Sequence, residues 1–197
     1  CLLSRGLGDV YKRQELDWNF STYLQRDTLK TVRSDLGNRR IREIKICDTP
    51  FVNAAAWLLP VTTINTVGGF DPIFFHYGED NNYCQRVLFH KLKIGIVTNT
   101  YVIHDRVNKP LNPKISLKET LKKREKQKKV NWADINKDNL SEASERKKNL
   151  FRKLLVSLLK LSFSYKRSRW AEINLINNII PEIRKSKKRN KVKGRHY

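Results

Sequence analysis

The amino-acid sequence predicts an α/β domain followed by a basic α-helical extension. Between residues 41 and 103, strand-like and helix-like segments alternate along the chain, which is typical of α/β folds. Hydrophobic residues make up 39% of the 197 residues, enough for a packed core. The net charge of +22 is concentrated in one part of the chain: residues 1–108 hold 14 basic and 11 acidic residues, whereas residues 109–197 hold 27 and 8. Arguments from charge therefore apply to the extension alone.

The beginning of the chain has unusual features. The sequence contains no Met, and residues 1–14 look like translated sequencing adapter. We therefore expect a truncated chain, and we leave residues 1–14 out of the fold prediction. The domain would then span residues 15–108, starting with a short helix over 17–34. Three cysteines without C-x-x-C spacing predict neither a disulfide framework nor a zinc site.

The elements of the predicted domain follow from apolar patterning. Isoleucines from 41 to 46 predict a strand that ends before Pro50. The apolar run 51–59 predicts a buried strand, and Gly68-Gly69 predicts a tight turn. Further elements are a helix over 79–90 and strands over 94–98 and 101–103. The predicted inner face of that helix carries Tyr83, Val87 and either Leu88 or Cys84.

An acidic pair, Glu79-Asp80, stands at the predicted start of the helix over 79–90. Carboxylates at this position face free backbone N–H groups and the positive end of the helix dipole. Both effects keep a carboxylate ionised and oriented, as a general base requires. Acidic residues also commonly cap helices, so spacing alone leaves both interpretations open.

The order of three motifs adds a resemblance to a known family. The motifs are Phe-Val-Asn-Ala-Ala-Ala-Trp-Leu-Leu-Pro, then Val-Gly-Gly-Phe-Asp-Pro-Ile-Phe-Phe-His-Tyr-Gly-Glu-Asp-Asn-Asn-Tyr-Cys-Gln-Arg, then Tyr-Val-Ile-His-Asp. Together they resemble the second half of the family-2 glycosyltransferases, which are inverting enzymes of the GT-A nucleotide-diphospho-sugar transferase fold. Within that family, the bacterial rhamnosyltransferase-like branch is the most similar. The resemblance is specific over residues 51–106 and faint over 15–50.

The resemblance implies roles for individual residues. Asp80 matches the catalytic base that takes a proton from the acceptor hydroxyl, and Glu79 would orient the loop or contact the acceptor. Trp57 and Tyr77 would bind the acceptor, although Trp57 is equally well explained as a core residue. His104 would help to bind a divalent metal, or would simply end a strand. The remaining motif residues would form a structural turn: Gly68, Gly69, Phe70 and Asp71.

The sequence also departs from the family pattern. Asn82 stands where the family usually has a second acid, and Pro72 stands where an acidic residue usually follows Phe-Asp. No Asp-x-Asp motif occurs, although the family uses one to hold Mg²⁺ or Mn²⁺. We therefore expect the acceptor-side half of an enzyme, inactive as this chain. The full-length enzyme would use a nucleotide-diphospho-sugar donor and a glycan or lipid-linked acceptor, as in polysaccharide biosynthesis.

The extension is predicted to be helical over 109–183 and disordered over 184–197. Its helices would cover 116–129, 146–165 and 170–183, with an interruption near Pro181. The helix 146–165 is basic and amphipathic, and three interpretations remain open. It could lie on an anionic membrane at the cytoplasmic face, it could bind nucleic acid, or it could pack on the domain with solvated lysines. Nucleic acid is disfavoured because no recognition motif is present. The alternative function is therefore a non-catalytic basic module that binds a membrane or nucleic acid.

Overall fold

The structure is a computed structural model that describes residues 46–54, 56–75, 77–97, 116–159 and 163–197. In these ranges the protein is mixed α/β but mostly helical, with five helices and a two-stranded sheet. The mixed α/β character of the prediction is therefore confirmed. Several predictions lie outside the described residues: the adapter-like segment 1–14, the helix over 17–34, the strand over 101–103, and His104.

The described chain divides into two compact units. Among the described residues, the first is formed by the chain from Ile46 to Gly69, by Tyr83 to Val97 and by Lys193–His196; the second is formed by the chain from Phe70 to Asn82, by Ser116 to Val192 and by Tyr197. The chain thus leaves the first unit after Gly69 and returns to it at Tyr83, within a helix.

The sheet of the first unit has two short antiparallel strands, β1 (Ile46–Asp48) and β2 (Gly95–Val97), with Ile46 opposite Val97. Both lie within segments predicted to be strands. The surrounding core is apolar and buried, and it consists of Phe51, Val52, Val67, Tyr83, Cys84, Val87, Ile94 and Ile96. This core supports one end of the segment that carries the family-like motifs.

The apolar run 51–59 was predicted to be a buried strand, but its described residues form no strand. Three consecutive carbonyl groups in this run accept hydrogen bonds from side chains. The donors and acceptors are the Thr49 hydroxyl to Phe51 O (3.1 Å), the Cys84 thiol to Val52 O (3.8 Å) and the Trp57 indole to Asn53 O (2.8 Å). Because side chains satisfy these carbonyls, Phe51 and Val52 are buried without a neighbouring strand.

Two helices follow in the chain. Helix α1 (Val61–Val67) begins after Pro60 and ends at Gly68, where only a tight turn was predicted. Helix α2 (Glu79–Phe89) confirms the predicted helix. Tyr83, Cys84 and Val87 are buried on α2, whereas Leu88 is 37% exposed, so the inner face uses Cys84.

The second unit is built on three helices: α3 (Leu117–Trp132), α4 (Leu140–Leu159) and α5 (Phe163–Asn190). Helix α3 begins with a reciprocal capping box between Ser116 and Glu119. The core of this unit is apolar and consists of Phe74, Trp132, Ala133, Ala143, Leu150, Ile173, Ile176, Ile179 and Ile183.

A fully buried carboxylate, Glu172, joins these three helices. It pairs with Arg124 (2.6 Å), Lys128 (3.1 Å) and Arg146 (3.2 Å). Burial raises the pKa of Glu172, but the hydrogen bond from Lys128 and the charges of Lys128 and Arg124 outweigh burial. The pKa is therefore lower than its ordinary value, and the carboxylate stays ionised.

The extension differs from its prediction at three places. The helix predicted over 146–165 begins already at Leu140 and ends at Leu159. Helix α5 is not interrupted at Pro181, because Ile179 and Ile183 are buried on either side of this exposed residue. The helix continues to Asn190, where disorder was predicted from residue 184. No helix in the described ranges is long and apolar enough to cross a membrane.

The continuation of α5 has a clear physical cause. Ser186 and Asn190 are buried and donate to the Asp71 carboxylate at 2.6 and 2.7 Å. The Lys187 ammonium group is buried too and donates to the Lys137 carbonyl at 2.6 Å. These contacts order the last turns of a helix whose sequence otherwise looks like a solvated run of charge.

Candidate functional site

The candidate site is the start of helix α2 together with the turn that precedes it. Tyr77 and Gly78 both have positive φ, 80° and 100°. At Gly78 a Cβ atom would lie only 2.7 Å from Val130 Cγ2 of α3, so a side chain there would collide with the helix wall. Glycine is therefore required at Gly78 twice, for its backbone conformation and for the close approach of α3. This turn places Glu79 and Asp80 in the first turn of α2.

Asp80 is half-buried, and its two carboxylate oxygens differ. Oδ1 accepts hydrogen bonds from the backbone N of Asn81 (2.7 Å) and from its side-chain Nδ2 (3.2 Å). Among the described residues, Oδ2 has no hydrogen bond. Burial raises the pKa of Asp80 and the charge of Glu79 adds to this, while the Asn81 bonds oppose it; the net pKa is raised. A carboxylate with one anchored oxygen and a raised pKa is suited to accept a proton.

Glu79 and Asn82 share a face of α2 beside that of Asp80, because residues three apart are neighbours on a helix. Glu79 Oε2 and both side-chain amide atoms of Asn82 are buried, and they have no hydrogen-bond partner within the described part of the chain. Asn82 is only 1% exposed. Buried polar groups in native proteins are nearly always bonded, so this face is a candidate for contact with a ligand or water.

A cleft in the second unit adjoins this turn, and we call it the aromatic–lysine cleft. Its volume is about 330 Å³, at the lower end of the range of roughly 300–1,000 Å³ for ligand pockets. One wall comes from the chain before α2 and the other from α3. The cleft is lined by Ile73, Phe74, Phe75, Tyr77, Lys122, Glu125, Lys126 and Lys129.

Aromatic and cationic groups meet in the aromatic–lysine cleft. The Lys126 ammonium group lies 4.3 Å from the centroid of the Tyr77 ring, within the range of a cation–π interaction. Phe75 is 93% exposed. Tyr77 precedes Asp80 by three residues, so the cleft and the carboxylate belong to one continuous stretch of chain.

Two side chains of α2 hold the glycine turn Gly68-Gly69 of the first unit by hydrogen bonds. The Tyr83 hydroxyl donates to Gly68 O at 3.1 Å. The buried Arg86 guanidinium donates to Gly69 O through two nitrogens, both at 2.8 Å, and also to Val67 O. Gly68 has φ +82° and ψ −165°, a conformation that other residues rarely adopt.

Phe70 and Asp71 follow this turn but belong to the second unit. Phe70 is 45% exposed. Asp71 is buried; its Oδ1 accepts from Ile73 N at 3.1 Å, and its Oδ2 accepts the two hydrogen bonds from α5 described above. The carboxylate of Asp71 therefore acts structurally, as the anchor of α5.

Trp57 lies in the first unit, whereas Tyr77, Glu79 and Asp80 lie in the second. The Trp57 ring is 5.6 Å from the Tyr83 ring and packs against the core of the first unit. This packing is what the core interpretation of Trp57 predicts.

The predicted metal ligand His104 lies outside the described residues, so its role remains a prediction. Within the described ranges, no three His, Cys, Asp or Glu side chains form a group that could hold a metal ion. The described residues around Asp80 therefore do not make a site for Mg²⁺ or Mn²⁺ by themselves.

Sequence reasoning missed the α3 wall of the aromatic–lysine cleft. Lys122, Lys126 and Lys129 recur at intervals of four and three residues, which places them on one helix face. In a lysine-rich helix this stripe looks like a solvated surface. The one signal that distinguishes this lysine stripe from a solvated surface is the aromatic pair Phe75-x-Tyr77, which lies far away in the sequence.

Comparison with known proteins adds no family assignment. No protein-family model matches the chain. No curated protein and no solved structure matches it either.

Proposed function

We propose that this chain is the acceptor-side part of an inverting glycosyltransferase of the GT-A fold, with Asp80 as its general base. The observation that carries the proposal is the state of the Asp80 carboxylate. One oxygen is fixed by Asn81, the other has no hydrogen bond among the described residues, and the pKa is raised. The order of motifs around Asp80 supports the same assignment.

The reaction follows from this arrangement. Oδ2 of Asp80 accepts the proton of an acceptor hydroxyl as that oxygen forms a bond to the anomeric carbon of a nucleotide-diphospho-sugar. The bond from the anomeric carbon to the diphosphate oxygen breaks, and its electron pair leaves with the nucleotide diphosphate. Because attack and departure occur on opposite faces, the configuration inverts. One carboxylate suffices, since a double displacement would require a second nucleophile.

The test uses the full-length protein and measures nucleotide-diphosphate release from a panel of nucleotide-diphospho-sugars in the presence of glycan acceptors. Asp80→Asn keeps the size of the side chain but removes the base, and the rate should fall by about 10²–10⁴-fold. The matched control is Asp48→Asn, which removes an exposed carboxylate paired with Lys93. Transfer by the Asp80 variant at the rate of the control would refute the assignment.

The pH dependence gives a second check on the same residue. Because the pKa of Asp80 is raised above its ordinary value of 3.8, the base is lost at a higher pH than an unperturbed Asp would be. The acid limb of kcat/KM should therefore lie above that ordinary value. An acid limb at or below it would contradict the role of Asp80.

A second candidate function is docking on an anionic membrane surface at the cytoplasmic face. Helix α4 favours it, because Phe151, Leu155 and Val156 are 50–57% exposed. Exposed cations surround this apolar patch: Lys147, Lys148, Arg152 and Lys153. Apolar groups flanked by cations are what a helix lying on anionic lipid presents.

Vesicle flotation tests this docking. The protein should float with phosphatidylglycerol vesicles at low salt but not with phosphatidylcholine vesicles, and Phe151→Ser with Leu155→Ser should abolish it. The control replaces two exposed apolar residues of the first unit, Leu58→Ser and Val61→Ser. Absence of flotation would leave α4 as a helix that packs on protein. Binding to nucleic acid in place of vesicles would favour the non-catalytic module.

A further inference from the structure

We infer that the aromatic–lysine cleft binds an anionic saccharide, a sugar chain that carries carboxylate or phosphate groups. The lining of the cleft provides the two kinds of contact that such a ligand needs. Exposed aromatic rings can cover the apolar face of a sugar ring, and ammonium groups can pair with its charges.

The lining of the cleft is positively charged. Three lysines and one glutamate line it, so the lining carries a net charge of +2. Lys129 is already paired, with Glu125 at 2.7 Å and with Glu182 at 3.4 Å. Within the described ranges, Lys122 and Lys126 make no ion pair. The two remaining cations are therefore available to an anionic ligand.

The two available cations lie on the same face of α3. Lys122 and Lys126 are four residues apart on α3, so they lie on one face at a rise of about 6 Å along the helix. Two anionic groups of one saccharide chain can therefore meet two flexible lysine side chains on one side of the cleft.

The opposite wall of the cleft carries two aromatic rings, Phe75 and Tyr77. Phe75 is 93% exposed in a segment where its neighbour Phe74 is only 7% exposed. Phe75 and Tyr77, which is 63% exposed, form an aromatic patch beside the lysines, and exposed apolar patches rimmed by polar residues mark ligand-binding grooves. Lys126 fixes the Tyr77 ring by its cation–π contact, so the wall is preorganised beside Phe75.

The size of the cleft argues for a short saccharide and against a nucleic acid strand. Single-stranded nucleic acid requires a groove that follows about 4–16 nucleotides and offers successive stacking rings. The cleft, of about 330 Å³, has two exposed rings, Phe75 and Tyr77, which is too few for successive stacking over that length. That this saccharide is the acceptor rests on the proposed function, whereas binding itself does not.

Isothermal titration calorimetry of the full-length protein tests the inference without any catalytic step. The probes are hyaluronan tetrasaccharide, which carries carboxylates, and chitotetraose, a neutral saccharide of the same length. The anionic tetrasaccharide should bind about tenfold more tightly, and added salt should reduce the difference. Equal affinity for both probes, or no binding of hyaluronan tetrasaccharide, would overturn the inference.

Variants locate the binding. Lys122→Gln with Lys126→Gln, and separately Phe75→Ala, should each weaken hyaluronan binding about tenfold. The charge-matched control is Lys147→Gln with Lys148→Gln, on the exposed surface of α4, and it should leave the affinity unchanged. An equal loss in the control would show diffuse attraction by the basic protein and would overturn the site.

Two further probes separate the alternatives. Inorganic phosphate binding as tightly as hyaluronan tetrasaccharide would reduce the site to a simple anion site, and an oligouridylate binding more tightly would assign it to RNA. Either result overturns the saccharide. Asp80→Asn separates the two proposals, since it should leave saccharide binding intact while abolishing transfer.

Discussion

The substitution Gly68→Ala adds one methyl group to the glycine turn, and it tests how tightly this turn packs against the C-terminal segment 194–196. The backbone of Gly68 has φ +82° and ψ −165°, a region that costs other residues about 1–3 kcal/mol. A Cβ atom would also collide with the backbone carbonyl of His196. Gly68→Ala should therefore strain the turn and displace the segment.

The size of the effect follows from the bonds that hold the segment. Three hydrogen bonds would be lost: Gly69 N to His196 O at 2.8 Å, Gly194 N to Thr66 O at 3.0 Å, and Arg195 Nε to Asn65 Oδ1 at 2.5 Å. At about 0.5–1.5 kcal/mol each, they contribute about 1.5–4.5 kcal/mol. Together with the backbone strain, Gly68→Ala should lower the free energy of unfolding by about 2.5–7.5 kcal/mol.

The assay is urea denaturation followed by tryptophan fluorescence, in the full chain and in a chain that ends at Lys193. Removing residues 194–197 removes the collision partner, so the substitution should then cost only about 1–3 kcal/mol of backbone strain. The coupling between substitution and truncation is the energy of the contact. Equal losses in both chains, within about 0.5 kcal/mol, would refute the reasoning.

Three further substitutions address other parts of the fold. Arg86→Lys keeps the charge but loses the planar fork on Gly69 O, so urea denaturation should show a loss of about 1.5–3 kcal/mol; an unchanged midpoint would contradict this. Glu172→Gln should remove stability that depends on an ionised carboxylate. Because the pKa of Glu172 is lowered from its ordinary 4.5, that stability is present above the ordinary value and disappears as pH falls through the folded value. Wild type and variant should therefore converge in acid, and parallel pH profiles would speak against this. Pro181→Ala should restore the hydrogen bond to the Asn177 carbonyl and stabilise α5 by about 1–3 kcal/mol, measured as a higher Tm. A lower Tm would show that proline is required there.

Local patterns predicted the elements whose stability is local. Helix α2 combines an acidic start with apolar residues at helical spacing, including Tyr83 and Val87, and its predicted bounds are within one residue of those observed. The position of Asp80 in its first turn was predictable for the same reason. The capping box of α3, from Ser116 to Glu119, likewise marks its start within four residues of sequence.

Patterns failed where a distant group supplies the partner. The run 51–59 has the composition of a strand, but its carbonyl at Val52 is satisfied by Cys84, 32 residues away. The last turns of α5 look like a charge run, because only Ser186 and Asn190 interrupt the cations and their partner is Asp71. No local pattern shows such a contact.

The same limit applied to the candidate site. Tyr77 was singled out from its motif, but the lysines that complete the cleft lie on α3, more than 40 residues later. A helix rich in lysine normally exposes all of them to solvent, so the sequence alone does not distinguish Lys126 from Lys123. The fold makes the distinction by placing one face of α3 against the chain before α2.

The bond between Asp71 and Ser186 also sets an order of events during synthesis on the ribosome. The two residues are 115 positions apart in the chain. At about 5–20 residues per second, translation takes roughly 6–23 s to cover that distance. Throughout this interval the Asp71 carboxylate lacks its hydrogen-bond donor Ser186, and the adjoining turn that leads to Asp80 lacks this anchor. A nascent chain stalled before residue 186 should therefore carry this loop in a protease-sensitive state, and release of the last turns of α5 should protect it.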